Sequence, residues 1–501
     1  MIRRRGLVLI IVLVVVVFLS LGAYTFTDLM LTYQESAQLT GRRLQARYLV
    51  DSGVEYVKMF LAQTEEARID AGGVFDNPDA FRGRTVIAAD DPNERGSFAI
   101  IAPSLDEIDE LAGTRHGLED ESTRLNLNIL PTLEETLPGT GTTLLMALPG
   151  MTEDVADAIL DWLDDDDEER PLGAESGYYT GLRPAYAAKN GPVETVEELL
   201  LVRGVTPELL FGGDVNRNGT IDAHETATEG TSGLGWSSYL TLYSTENNVR
   251  SDGQPRIDLN QSDLQTLSDQ LTEVFPPEWV TFILAYRLAG AYTGTNDGEQ
   301  GLTGTLDLTQ EPRGTIGTVL DLVGAKVQVT FQGEMNQVIL ASPIQDDLIS
   351  MGLGFPLLME NVTVNPSKTI PGRININQAT RTVLLGIPGI TEEIVDAILT
   401  SRSYEIDTDR PNHRHETWIL VEGIVTLDQM KQLMPLVNAG GDVYRAQVVG
   451  YFQGGEASSR AEAVFDATGT TPRLLFWRDI SHLGRGYAVE TLGVDFSEAS
   501  E

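Results

Sequence analysis

Cysteine is absent from this sequence of 501 residues, and basic residues are scarce in it. Without cysteine, the chain can form no disulfide, no thiolate nucleophile and no cysteine-based zinc site. It carries 35 Lys and Arg against 74 Asp and Glu, which gives a formal net charge of −39. Because nonspecific affinity for nucleic acid comes mainly from cations that displace phosphate counterions, this balance argues against nucleic acid as a partner.

The motifs of the common enzyme classes are also missing. The sequence contains no nucleophile elbow, no Walker loop and no glycine-rich nucleotide fingerprint. Scattered Ser, His and Asp are expected in any chain of this length and do not define a catalytic triad. We therefore expect no enzymatic activity. The length predicts about two to four domains, and the ordinary hydrophobic content of 42% predicts that they fold.

The longest apolar run follows a basic segment at the amino end. The letters "MIRRRG" precede residues 7–23, which include no charged residue. A helix of that length spans about 25 Å, and extension through Tyr24 and Phe26 would complete a crossing of the roughly 30 Å hydrocarbon core. The three arginines of the basic segment predict a cytoplasmic amino end and an external body. A cleaved secretory signal ending near Ala23 remains an alternative.

The helical pattern continues far beyond the apolar run. No proline occurs before Pro78, and Val50, Val54, Val57 and Leu61 recur at helical spacing. We predict one helix over residues 7–63, roughly 85 Å long. Its first third would lie in lipid, and its last third would dock on a domain.

Strand patterns occur on both sides of a long middle region. Residues 96–102 precede it, and residues 442–452, 459–467, 472–479 and 487–494 follow it, with turn residues between them. We predict one α+β domain in two parts, interrupted by roughly 300 residues that must fold by themselves.

The middle region contains a repeated five-residue pattern. "RLNLN" at 124–128, "RIDLN" at 256–260 and "RININ" at 373–377 each predict a short strand whose last Asn caps the next helix. The first and third copies lead to helix-hairpin-helix-like segments, "LMALPGMTEDVADAIL" at 145–160 and "LLGIPGITEEIVDAIL" at 384–399, whereas the middle copy is degenerate. In both hairpins a Thr and two acids follow the Pro-Gly turn, where a DNA-binding hairpin would hold phosphate. We interpret these hairpins as packing or protein-contact units.

One segment fits a calcium-binding loop of the EF-hand type. In "DVNRNGTIDAHE", residues 214–225, the predicted ligands are Asp214, Asn216, Asn218, Thr220 through its carbonyl, Asp222 and Glu225. We predict that bound Ca²⁺ is structural.

A second acidic cluster lies at residues 161–179, "DWLDDDDEERPLGAESGYY". Adjacent aspartates repel each other unless a cation lies among them. Two interpretations remain open: a solvated helix end, or a second calcium site that uses Asp164, Asp166 and Glu175.

The leader and long helix resemble those of type IV pilins and pseudopilins. That resemblance implies cleavage by a prepilin peptidase between Gly6 and Leu7. Most such subunits have Glu at the fifth mature position, where this chain has Ile11. Lack of that Glu is a feature of the minor pseudopilin K family of type II secretion, also called general secretion pathway protein K. The segment from the first hairpin through "AYAAKNGPVETVEELLLVRGVTPELL", residues 185–210, also resembles this family.

The resemblance implies a pilin-like fold with a mainly helical insertion and a role at the tip of a pseudopilus, where the protein assists assembly and export. It also implies an inner-membrane protein with a periplasmic body. Its partners would be other minor pseudopilins, the prepilin peptidase and, as a further candidate, secreted cargo. The alternative is a membrane-anchored DNA-uptake receptor, because residues 373–390 also resemble competence receptors. The family's usual chain is much shorter, and residues 290–371 are extra. The division that we expect is leader 1–6, helix 7–66, first pilin-like part 67–123, insertion 124–255, second repeat 256–372, third repeat 373–438 and terminal strands 439–501.

Overall fold

The computed structural model describes residues 3–105, 111–218, 225, 233–294, 304–404, 410–455 and 457–494. The α-helices, in chain order, are α1 Arg3–Leu61, α2 Glu65–Asp70, α3 Pro78–Phe81, α4 Leu130–Thr136, α5 Thr140–Met146, α6 Glu153–Leu163, α7 Ser176–Tyr179, α8 Pro207–Phe211, α9 Leu264–Val274, α10 Pro277–Ala289, α11 Leu348–Asn361, α12 Arg381–Leu385, α13 Glu392–Ser401, α14 Trp418–Val421, α15 Leu427–Leu433 and α16 Val489–Leu492. Short 3-10 helices lie at Pro92–Glu94, Glu121–Thr123, Leu127–Ile129, Val196–Leu201, Trp236–Ser238, Val319–Leu322, Pro411–Arg414 and Ser481–Leu483.

The strands are short except in one sheet. In chain order they are β1 Arg84–Ile87, β2 Gly96–Leu105, β3 Leu111–Arg115, β4 Glu119–Asp120, β5 Leu125–Asn126, β6 Leu240–Thr241, β7 Thr245–Asn247, β8 Ile257–Asp258, β9 Lys326–Val329, β10 Val338–Ala341, β11 Val362–Thr363, β12 Thr369–Pro371, β13 Ile374–Asn375, β14 Val437–Asn438, β15 Val443–Phe452, β16 Ser458–Asp466 and β17 Arg473–Asp479.

The long amino-terminal helix is present as predicted. Helix α1 has 59 residues and is therefore about 90 Å long. Its apolar side chains are exposed from Leu7 through Leu31, whereas Val50, Val54, Val57 and Leu61 are all buried. Within the described residues, it is the one helix long and apolar enough to cross a membrane. The first part therefore fits a single-pass membrane anchor, and the last part packs on the body.

The main sheet joins the two ends of the chain. Its strand order is β1-β2-β15-β16-β17, with β3 beside β2 and β4 beside β15. All these pairs are antiparallel, and Ile100 of β2 lies opposite Val448 of β15. Helix α1 approaches closely at Gly450, where an added Cβ would lie 2.3 Å from the carbonyl oxygen of Ala46. These features confirm the predicted mixture of a long helix and an antiparallel sheet.

The three five-residue repeats adopt the same local structure. Strands β5, β8 and β13 pair in parallel with β6, β11 and β14, respectively. In each copy the third residue accepts a hydrogen bond from the backbone N–H two residues later; these acceptors are Asn126, Asp258 and Asn375. The middle copy therefore keeps the local structure of the others. Apolar side chains between Leu125 and Val437 form one continuous core.

Two local predictions were wrong. The last Asn of each repeat does not cap a helix; it binds distant backbone instead. Asn128 pairs with both backbone groups of Val193, and Asn260 does the same with Ile316. Residues 487–494 are not a strand either, because they contain helix α16, with Leu492 buried beneath the sheet. The last residues of the chain, 495–501, lie outside the described part.

Candidate metal sites

The predicted calcium loop is described at four of its ligand positions. The backbone N–H of Asn218 donates to Oδ1 of Asp214 at 3.0 Å, and that of Asn216 donates to Oε1 of Glu225 at 3.0 Å. The first and last predicted ligands are thus both fixed to the loop backbone. Arg217 between them has a φ of +56°, a left-handed conformation that is uncommon outside glycine. Thr220 and Asp222 lie outside the described residues. The donor types, carboxylate and amide oxygens, suit Ca²⁺.

The second acidic cluster comes together at the carboxyl end of α6. One oxygen each of Asp164, Asp166 and Glu175 lie within 4.8 Å of one another. Glu175 is only 4% exposed, and neither of its carboxylate oxygens has a hydrogen-bond partner among the described residues. Burial, together with the charges of Asp161, Asp164 and Asp167, raises the pKa of Glu175 to about 7. The cluster therefore has oxygens that a divalent cation would satisfy.

One organic cation already occupies part of this cluster. Arg170 donates through Nη1 to Asp161 at 2.7 Å and to Asp164 at 2.5 Å. Oδ1 of Asp164 stays buried without a hydrogen bond to the described residues. Arg170 thus neutralises Asp161 and Asp164, whereas Glu175 and Asp166 form no ion pair with the described residues.

One Pro-Gly turn lies between α5 and α6, and the other lies between α12 and α13. Gly150 and Gly389 both have positive φ angles, +68° and +88°. The carbonyl of Pro149 accepts a hydrogen bond from Nε1 of Trp236 at 2.8 Å. The turn of the first pair therefore already contacts the protein's own interior.

The two pairs, α5–α6 and α12–α13, also contact each other. A Cβ added at Gly386 would lie 2.9 Å from the Cβ of Ala147. At α13, Thr391 caps the helix, and its hydroxyl lowers the pKa of Glu393. This geometry agrees with our interpretation of the segments as packing units.

The predicted peptidase junction lies inside α1. Gly6 and Leu7 are consecutive residues of that helix, and the Leu7 side chain is 64% exposed. The structure places the junction at the start of the apolar run and leaves cleavage as a prediction.

Sequence reasoning missed the buried ion pairs. Arg373, the first residue of the third repeat, pairs with Glu246 and with Glu416, the latter at 2.8 Å. Arg460 on β16 is fully buried and donates to the carbonyls of Asn216 and Arg217 at 2.6 and 2.7 Å. The available signal was a charged residue at every second position of an apolar strand, Arg460 and Glu462.

A long apolar helix, an antiparallel sheet on the second half of that helix, and a large insertion with oxygen-rich clusters define an α and β protein whose first helix fits a single-pass membrane anchor. Residues 123–211 of the insertion match the family model described as type II secretion system (T2SS), protein K. This match confirms the resemblance predicted from the sequence, and the chain is protein K-like over this segment. The segment includes the first helix pair and the acidic cluster.

Other comparisons are less informative. No curated protein matches the chain in sequence. One similar solved structure is a chain of the GspK-GspI-GspJ complex from the type 2 secretion system of enterotoxigenic Escherichia coli. It is 12% identical, with a TM-score of 0.38 over 90% of this chain and 98% of that chain. A likeness at this level carries no argument about the fold or partners of this chain.

Proposed function

We propose that this chain is a minor pseudopilin at the tip of a type II secretion pseudopilus, where it assists initiation of filament assembly and protein export across the outer membrane. The match of residues 123–211 to the protein K family model carries this proposal. Helix α1 supports it, because its exposed apolar half suits first lipid and then a bundle of similar helices. The role is assembly, and we expect no catalysis.

The proposed steps of processing and membrane insertion follow from the resemblance to pseudopilins and from the structure of α1. A prepilin peptidase would cut after Gly6 and leave Leu7 as the mature amino end. The helix would then span the inner membrane, with its amino end cytoplasmic and the body periplasmic. A carboxylate in lipid needs a cationic partner, and Ile11 removes that requirement. A subunit without the acid can occupy a position that has no subunit above it.

The proposed partners are other minor pseudopilins. The protein K resemblance of residues 123–211 supports this proposal, because subunits of that family assemble with other minor pseudopilins. Secreted cargo is a second candidate for its acidic surface. We propose no nucleic-acid partner.

Cleavage and secretion can be tested with two glycines of the same helix. Gly6→Ala should block cleavage, so that mass spectrometry after co-expression with a prepilin peptidase finds residues 1–6 retained. Gly22→Ala is the control, because an added Cβ there meets nothing within 4 Å. It should be cut before Leu7, like the parent.

In a strain that lacks the chain, the parent and the control should restore export, whereas Gly6→Ala should leave secreted proteins in the periplasm. An amino terminus beyond the apolar helix would show a cleaved secretory signal and would contradict the pilin-like proposal.

We also propose that calcium stabilises the insertion at the loop 214–225 and at the cluster of Asp164, Asp166 and Glu175. A ligand that binds only the folded state raises its stability. Asp214→Ala with Glu225→Ala should remove the part of the calcium-induced rise in melting temperature that comes from the loop. Glu175→Gln should remove the part that comes from the cluster. It should also raise the melting temperature without calcium, because it deletes a buried charge whose oxygens have no hydrogen-bond partner among the described residues.

Thermal unfolding with millimolar calcium and with chelator measures both effects. If each variant gains as much as the parent from calcium, neither site holds the ion.

A further inference from the structure

The calcium loop lies against the main sheet through a group of hydrogen bonds that we name the loop–sheet contact. On the loop side it contains Asn216, Arg217 and Asn218. Nη2 of Arg460 on β16 donates to the carbonyls of Asn216 and Arg217 at 2.6 and 2.7 Å. Nε2 of Gln447 on β15 donates to the same Arg217 carbonyl at 2.8 Å. Two strands thus hold two successive carbonyls of the loop.

The contact continues on the segment that follows β17. Nδ2 of Asn218 donates to the carbonyl of Gly486 at 2.8 Å. The hydroxyl of Tyr487 donates to Oε1 of Gln447 at 2.7 Å and so orients that side chain. The Arg217 side chain pairs with Glu197 at 3.3 Å and with Glu462 at 3.7 Å. The loop is therefore tied to β15, to β16 and to residues 486–487.

Arg460 is an unusual residue for the middle of a sheet. It is 0% exposed, and it makes no ion pair with a carboxylate among the described residues. Its Nε and Nη1 have no hydrogen-bond partner there. A buried cation is costly unless acceptors surround part of it. The two loop carbonyls are the acceptors that the fold supplies, together with the Tyr487 ring 5.3 Å away.

The space for the guanidinium is also specific. Gly486 has a φ of +78°, and an added Cβ there would lie 2.0 Å from Nη1 of Arg460. A glycine at this position lets the chain pass directly beside the buried cation.

The same backbone units carry the predicted calcium ligands. Arg460 of the sheet binds the carbonyl of Asn216, and the backbone N–H of Asn216 donates to Glu225. The side chain of Asn218 donates to Gly486, while its N–H donates to Asp214. The loop is thus held on one side by the sheet and on the other by the first and last predicted ligands.

We propose that Arg460 and Gln447 are positioning residues for the calcium loop, and that calcium binding in the loop and docking of the insertion on the sheet are coupled. The inference rests on the proposed calcium site of residues 214–225. Coupling between two equilibria is reciprocal, so a weaker contact lowers calcium affinity, and bound calcium protects the contact. The acidic cluster differs, because its neighbours Arg170 and Asn190 belong to the insertion itself.

Calcium titration of the full-length chain in detergent tests the proposal. The background protein carries Asp164→Asn and Glu175→Gln, so that the heat of calcium binding comes from the loop alone. Adding Glu225→Gln to this background shows which part of that heat belongs to the loop. In Arg460→Met, the dissociation constant of the loop for calcium should rise about tenfold. Gln447→Leu keeps the side-chain volume, removes one donor and should shift the affinity in the same direction by less. If Arg460→Met does not fold, the calcium affinity of Gln447→Leu tests the proposal in its place.

Hydrogen exchange supplies a readout that a general loss of stability would not give. Calcium should slow exchange of backbone amides in residues 480–487 of the background protein but not of Arg460→Met. The matched control is Val448→Ala, a buried change on β15 whose side chain packs in the core that contains Val50 and Val54 of α1, and not in the cluster that contains Tyr487. It should lower the melting temperature and leave both calcium affinity and calcium-dependent protection unchanged.

The outcomes separate the two proposals. If the background protein and Glu225→Gln give the same titration, the loop binds no calcium, and the proposed site itself is wrong. If the loop binds calcium but the Arg460 and Gln447 variants bind it as tightly as the background, with the same protection of residues 480–487, the coupling is wrong and the site stands.

Discussion

At the residue scale, the three repeat arginines differ in how their charge is balanced. Arg124 pairs with Glu119, and Arg373 pairs with Glu246 and Glu416. The side chain of Arg256, at the same position of the middle repeat, makes no hydrogen bond or ion pair with the described residues, whereas its backbone N–H donates to the carbonyl of Asn248 at 3.3 Å. It lines a cavity of about 600 Å³ between the end of α1 and the insertion. We therefore expect the three repeat arginines to contribute unequally to the free energy of unfolding.

This difference predicts unequal costs for two matching substitutions. Arg373→Met would leave two buried carboxylates without their cation and should lower the free energy of unfolding by ~3–5 kcal/mol. Arg256→Met breaks no ion pair to the described residues and should cost about 1 kcal/mol or less. Denaturant unfolding of both variants measures the difference. Equal costs would show that the Arg373 ion pairs contribute nothing beyond side-chain packing.

The same scale shows which site residues a sequence can reveal. The calcium loop is recognisable because its ligands lie within twelve consecutive positions of a known pattern. Gln447 and Arg460 are more than two hundred positions away from that loop, and only the fold brings them there. For the repeat asparagines, a helix cap was the local expectation, but distant backbone groups at Val193 and Ile316 bind them instead.

At the scale of elements, periodicity predicts long segments better than short ones. The spacing of apolar residues predicted α1. The alternation of apolar and polar residues predicted β2, β15, β16 and β17 close to their observed bounds. Residues 487–494 were also predicted as a strand, yet they contain α16, which ends before Gly493 with its left-handed φ of +108°. A short apolar run does not separate strand from helix, and the burial of Leu492 against the sheet decides the outcome.

The surroundings of Glu462 on β16 also predict that the stability of the fold depends on pH. Burial alone would raise the pKa of Glu462, but Arg445, Arg478 and Arg217 outweigh it and lower that pKa. Because the pKa is lower in the folded chain, the stability from Glu462 is present above the unfolded pKa of about 4.3 and is lost as pH falls below it.

Glu462→Gln should therefore cost ~3–5 kcal/mol at pH 7. The difference in the free energy of unfolding between this variant and the parent should become smaller as pH falls below about 4. Melting temperatures over an acid pH series test this. A gap that stays constant with pH would show that the charge of Glu462 does not contribute. Glu55→Gln on the exposed face of α1 is the control and should change little.

At the scale of the whole molecule, several of the scarce cations lie where parts of the fold meet. Six arginines line one cavity of about 290 Å³ where the early segment, the insertion and the sheet meet. They are Arg115, Arg124, Arg217, Arg402, Arg445 and Arg478. Most of them bind carboxylates or carbonyls of the chain itself, as Arg445 does with Glu121 and Glu462. Positive charge thus joins parts of the fold, within a chain whose formal net charge is −39.

This distribution predicts the result of a DNA-binding test, which separates the proposed function from the DNA-uptake alternative. A gel-shift assay of the full-length chain with a short duplex should show no binding even at low salt, because 74 Asp and Glu outnumber the 35 Lys and Arg that could displace counterions. Half-buried Arg381, the first residue of α12, pairs with Asp396 of α13. Glu392 and Glu393 occupy the first turn of α13, after the Pro388-Gly389 turn, where phosphate would lie. Tight binding that weakens steeply with salt and is lost in Arg381→Ala would instead identify this turn as a phosphate site and favour the receptor.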